Sequence, residues 1–154
     1  VVRSFFIDTF NFFLYDGLRH CENPVLAGIA EKSVKEIAYQ AQWSAEWVIR
    51  LGDGTEESHE KVQKSVNDLW LWTGELFEKH PVFEKLGSSF IDFSTLKTEW
   101  LEKVTLVLET ATLQIPDPES WMQTGGRLGV HTSHLGFILA EMQSLPRTYP
   151  AASW

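Results

Sequence analysis

What most constrains the fold is punctuation. Long stretches of helical periodicity are each closed by proline or glycine, and no stretch alternates apolar and polar residues convincingly enough to read as a strand. Asn23-Pro24 joins a capping side chain to a proline at the first helical position, where the missing N–H costs nothing and φ is preset. The helix started there runs to Leu51, and Gly52-Asp53-Gly54 stops it. Thr55 caps a third helix with Glu56 and Glu57 in its first turn, negative charge against the positive end of the helix dipole; it is predicted to reach about Lys79, before His80-Pro81. A first helix precedes these over residues 2–20. Residues 81–93 read as a short helical turn and a loop, after which Ser94 opens a fourth helix that extends to about Leu113 and is ended by Pro116 and Pro118. Ser120–Val130 is irregular and Gly-rich, a last helix starts near Thr132, and Pro146 and Pro150 close the chain in a tail ending at Trp154. One all-α domain over residues 1–154, a helical bundle, is the simplest solution.

Charge and composition remove several function classes. A net charge of −8 with no basic stripe argues against nucleic acid, whose phosphates need clustered Lys and Arg. Residues 1–15 are apolar but broken by Arg3, Asp8 and Asn11, and fall short of the roughly 20 residues of a membrane span. The lone Cys21 allows no internal disulfide and no zinc spacing, in keeping with a reducing cytoplasm. Seven Trp and ten Phe are unusual, and they point to dense helix contacts or a partner surface. Because Val1, Val2, Phe5, Phe6, Ile7, Phe10, Phe12, Phe13 and Leu14 point in every direction, the first helix should need cover on all sides, from self-association, domain swapping or a partner chain. With no initiator Met and a start inside an apolar stretch, the chain reads as a piece of a longer protein.

The chemistry-bearing residues are few. Glu36-Ile37-Ala38-Tyr39 has the spacing of the Glu-x-x-His that supplies ligands in di-iron helical bundles, with a phenol in place of the imidazole, and Asp8 is the acid on the preceding helix. At 100° per residue Glu36 falls beside Ile29, Trp43 and Trp47, an arc expected to pack, while Glu31, Lys35 and Glu46 lie on the opposite side. A buried carboxylate requires a partner or a metal, so Asp8 and Glu36 are expected to be partnered by protein groups. A di-iron centre takes about six side chains and these three offer at most two strong ligands, although Tyr can ligate ferric iron. Metal-site positions kept without their metal are therefore the expected reading of Asp8, Glu36 and Tyr39. Glu56-Glu57-Ser58-His59 repeats the spacing but sits in a first helical turn, where capping accounts for it. His131 and His134 lack a nearby carboxylate or Cys and suit capping or an interface, and Arg127 and Trp154 are interface or structural candidates. Gly125-Gly126-Arg127-Leu128-Gly129 lacks the strand and the Gly-Lys-Ser/Thr of a phosphate loop. No catalytic or cofactor-binding residue is singled out.

Three longer stretches resemble one family. They are Leu51-Gly52-Asp53-Gly54-Thr55-Glu56-Glu57-Ser58, Thr124-Gly125-Gly126-Arg127-Leu128-Gly129-Val130-His131-Thr132-Ser133-His134-Leu135-Gly136, and Leu139-Ala140-Glu141-Met142-Gln143 followed by Arg147 and Tyr149-Pro150. They look like the PaaC-type subunits of phenylacetyl-CoA epoxidases, and the resemblance runs through essentially the whole chain. It implies the C-terminal part of a ferritin-like bundle, incomplete because the family's N-terminal helices, which carry its other half, precede this stretch. It also implies a structural, non-catalytic, cytoplasmic subunit of a multicomponent oxygenase in phenylacetate breakdown. The di-iron cofactor is then expected in a homologous catalytic partner that epoxidises the aromatic ring of phenylacetyl-CoA, with none in this chain. Gln40, Ser133 and Pro146 depart from the family's usual His, Glu and Gln. Two other classes stay open, an autonomous ferritin-like di-iron oxidase or iron protein and a ligand-binding helical module.

Overall fold

The computed structural model describes residues 1–78, 80–81, 91–151 and 153. The helices are α1 (Val2–Leu18), α2 (Pro24–Gly52), α3 (Glu56–Trp70), α4 (Phe93–Thr110), α5 (Ser133–Met142) and α6 (Ser144–Thr148), with single 3-10 turns at Thr73–Phe77 and Gly126–Leu128. Among the described residues there is no strand. The chain forms two compact units, Val1–Gln123 and Thr124–Trp154.

The ends of α2 and the start of α3 are as the residue pattern requires. Asn23 Oδ1 accepts from the N–H groups of Val25 and Leu26, and Pro24 opens the helix. At the other end Gly52 lies so close to the segment after α4 that a Cβ there would stand 2.6 Å from the Ala111 carbonyl oxygen. The α2–α3 corner is then fastened by side chains. Thr55 Oγ1 accepts from the Ser58 N–H, the Ser58 hydroxyl donates to the Leu51 carbonyl at 2.7 Å, and His59 Nδ1 lies 2.7 Å from the Gly52 carbonyl oxygen. Glu56-Glu57-Ser58-His59 is thus a helix start and a corner clamp.

Several boundaries differ from the sequence reading, and Pro146, expected in the closing tail, lies inside the short helix α6. α3 stops at Trp70, well before Lys79, because the Thr73 hydroxyl bonds the Trp70 carbonyl and the Leu71 carbonyl accepts from the Gln123 N–H. Lys79 itself, most of the 81–93 turn and loop, and Trp154 lie outside the described residues. α4 is capped by Asp92, whose carboxylate takes the Ser94 N–H and the hydroxyls of Ser94 and Thr95, and it ends at Thr110. Thr112 at φ 58° then turns the chain, and Gln63 grips the returning segment through both ends of its amide, donating to the Gln114 carbonyl at 3.1 Å and accepting from the Gln114 N–H at 2.7 Å.

The first unit has one core. Phe5, Phe6 and Phe10 of α1 meet Ala45 and Val48 of α2, Val62, Val66 and Trp70 of α3, and Leu96, Trp100, Val104 and Leu108 of α4. The Trp100 ring lies 5.8 Å from Phe6, 5.8 Å from Trp70 and 5.4 Å from Phe77, and its indole N–H donates to the Phe6 carbonyl at 2.9 Å. Each such ring, fully buried, is worth roughly 1.5–3 kcal/mol. α1 therefore finds its cover inside the chain: Val2, Phe5, Phe6, Thr9 and Phe10 are buried, Phe12, Phe13 and Leu14 are half-buried, and Ile7 reaches solvent. Most of the uncovered apolar surface lies instead on α2 and in the second unit, with Trp72, Leu106 and Trp121 exposed elsewhere in the first.

The second unit is short and open. Gly125 and Gly129 take positive φ at either end of the 3-10 turn, and the Val130 N–H returns to the Gly125 carbonyl. α5 has no buried residue, although Leu135, Phe137, Ile138, Leu139 and Met142 make it apolar nearly all round.

Candidate functional site

The acids singled out in the sequence sit on α1 and α2, and α2 presents them differently from expectation. Its buried residues are Ala30, Val34, Ser44, Ala45, Val48 and Gly52, so the small side chains face the bulky phenylalanines of α1. Ile29, Tyr39, Trp43 and Trp47 are all exposed. The helical period of α2 is legible in the sequence, but its phase is not: the tryptophans suggest the core side, while packing against α1 selects alanine and valine, which let two helices approach closely.

Glu36 is exposed on this outer face and accepts a weak bond from Gln40 Nε2 at 3.5 Å, four residues on. Its expected burial is overturned, and with it the need for a neutralising partner. Asp8 is half-buried and takes part in none of the ion pairs found among the described residues. Tyr39 is 70% exposed. As donors these three are two carboxylates and a phenol, without the imidazole a di-iron half-site uses. Among the described residues no three His, Cys, Asp or Glu side chains are grouped closely enough to share a metal ion. The donor set does not fit a di-iron centre, and no step of chemistry is assigned to it.

The C-terminal candidates share one short segment. Arg127 is exposed in the 3-10 turn, and His131 and His134 are exposed at the start of α5. Thr132 is its N-cap residue, with no side-chain capping bond. What the sequence reading misses is the aromatic ladder on α2. Trp43 and Trp47 pack with ring centres 6.1 Å apart and planes tilted by 58°, and the Arg50 guanidinium lies 5.6 Å over Trp47 while bonding Glu46 at 3.2 Å. The signal is present in the i, i+4 spacing of Tyr39, Trp43 and Trp47, which by period alone reads as core. Beside it, on the side toward α1 and α4, an open groove of about 460 Å³ is floored by Ala38, Ala41 and Ala45 and rimmed by Glu46 and Lys103.

The first unit is a helical bundle, a fold consistent with the ferritin-like bundles. The chain is a member of the family described as phenylacetic acid catabolic protein, whose model matches residues 1–154. It is 38% identical over 156 aligned residues to the C-type subunit of the 1,2-phenylacetyl-CoA epoxidase of Escherichia coli (strain K12), an alignment that covers 100% of this chain and 62% of that protein. The chain thus spans somewhat under two thirds of the length of this relative.

Proposed function

We propose that the chain serves as a structural, non-catalytic subunit of a phenylacetyl-CoA epoxidase in aerobic, cytoplasmic phenylacetate degradation, bound to a homologous catalytic subunit that holds the di-iron centre. The observation that carries this reading is Tyr39: in a chain 38% identical along its whole length to one subunit of such an epoxidase, the position that should supply an imidazole supplies an exposed phenol. Glu36, held among the described residues by a long bond from Gln40, is no better placed to act as a ligand.

The second unit supports a partner. Its α5 leaves Phe137, Ile138 and Met142 more than half exposed, and Thr124–Trp154 carries only Arg127, Arg147 and Glu141 as charged residues. Apolar, charge-poor surface is what the centre of a protein interface contains. The test is co-expression with the candidate catalytic subunit. Copurification, ring epoxidation of phenylacetyl-CoA only when both are present, and iron that follows the catalytic subunit are expected. Stoichiometric iron in this chain alone, lost on Glu36→Ala, would overturn the reading and favour an autonomous di-iron protein.

A further inference from the structure

We propose that α5 is a helix-in-groove ligand that completes its folding only on the catalytic subunit, which takes it into an apolar groove of its own. The inference rests on the epoxidase reading and adds to it how the two subunits join.

The spacing defines the mode. Leu135, Ile138, Leu139 and Met142 stand at i, i+3, i+4 and i+7, so they share one stripe of about 100° of arc. Anchors at those steps are what an amphipathic helix lays into a partner's groove. No residue of α5 is buried, and Ile138 and Met142 are more than half exposed. Phe137, on the far side of the helix, is more than half exposed as well, so a flat partner that met the stripe alone would leave its ring in water. The partner therefore encloses α5 and does not merely abut it.

Area selects a protein as the occupant. Phe137, Ile138, Met142, Leu145 and Tyr149 are all more than half exposed, and at upwards of roughly 100 Å² each they present about 600 Å² together. A standard protein interface takes about 800 Å² from each side. Arg127, Arg147 and Glu141 are the only charged residues of Thr124–Trp154, so the patch suits the desolvated centre of a subunit contact and not a charged surface. The epoxidase reading supplies such a neighbour in the catalytic subunit.

Free in water, the helix has little to hold it. It is 10 residues long, below the roughly 12–15 at which even alanine-rich helices become stable alone. Thr132 makes no side-chain capping bond, no acidic residue stands in the first turn and no basic residue in the last, and Gly136 lies in the middle. Gln143 separates it from α6, whose own interior holds Pro146. Stability of such a helix has to come from packing, and the groove of the partner provides it.

Hydrogen exchange of the full chain, free and bound to the catalytic subunit, read by mass spectrometry, tests this. In the free chain the amides of α5 should exchange within about tenfold of an unstructured peptide while those of α2 and α4 stay protected, and in the complex they should slow by roughly 100-fold or more. Ile138→Asp and Met142→Asp, both on the stripe, should each weaken the complex by about thirtyfold or more and leave exchange in α2 and α4 unchanged. A wild-type chain that forms no complex overturns the epoxidase reading and this inference with it. Where the complex forms, protection of α5 already present in the free chain, exchange unchanged on binding, or indifference to both substitutions overturns this inference alone.

Discussion

Gly52 shows how much one missing Cβ can decide. A methyl group there would stand 2.6 Å from the Ala111 carbonyl oxygen and 2.8 Å from the Ala111 Cβ, and the first of these is backbone that cannot swing aside. Gly52→Ala should therefore cost about 1–3 kcal/mol, the usual range for overpacking, although the same exchange on an exposed helix would be stabilising. Urea melts of the two proteins check this; an unchanged midpoint would show that the close approach is easily relieved. Asp92 is a second single-residue device. The Ser94 hydroxyl, the Thr95 hydroxyl and the Ser94 N–H together lower its carboxyl from 3.8 to about 2. A depressed acid stabilises the fold fully above its unfolded value and loses that contribution as pH falls toward its folded value. The stability difference between the protein and Asp92→Ala should hold near neutrality and narrow between about pH 4 and 2. A gap constant over that window would mean that the ionised cap contributes nothing. The Asp92 cap lies close to the helix start that the sequence places at Ser94, because both residue types cap well and only geometry distinguishes them.

The helices themselves are largely legible because their starts and stops are chemical. Asn23-Pro24 and Thr55 with its acidic first turn fix two N-termini with local bonds, which a sequence displays directly. The end of α3 is not visible there, since it depends on Thr73 and on a backbone bond from Gln123, far along the chain. The rotation of α2 is also hidden. Which arc of a helix packs depends on what the neighbouring helix presents, and α1, crowded with Phe, selects the alanine side. A sequence thus locates the residues of interest on their elements, while their surroundings come from the fold. α5 gives the clearest prediction at this scale. Phe137 is 72% exposed, so Phe137→Glu should leave the thermal midpoint within about a degree or two, as surface substitutions do, while abolishing copurification with a catalytic partner. A large loss of stability would place Phe137 in a core instead.

At the scale of the whole molecule, the first unit combines near and distant contacts of different consequence. α1 and α2 are consecutive and share the core, whereas Trp100 reaches the Phe6 carbonyl across 94 residues of chain. Closing a long loop costs entropy before any contact compensates for it, and consecutive helices meet sooner. The α1–α2 hairpin should accordingly form early and receive α4 late, with the Trp100 indole bond made on the downhill side of the barrier. Trp100→Phe, which removes that bond and some volume, should then speed unfolding by about tenfold or more and barely alter the folding rate, because interactions absent from the transition state act on unfolding. Stopped-flow chevrons decide it, and a folding arm slowed by the same factor would put α4 in the nucleus. What Trp100 governs, on this account, is time: it sets how long the bundle stays closed once assembled, and hence how seldom the phenylalanines of α1 are shown to solvent.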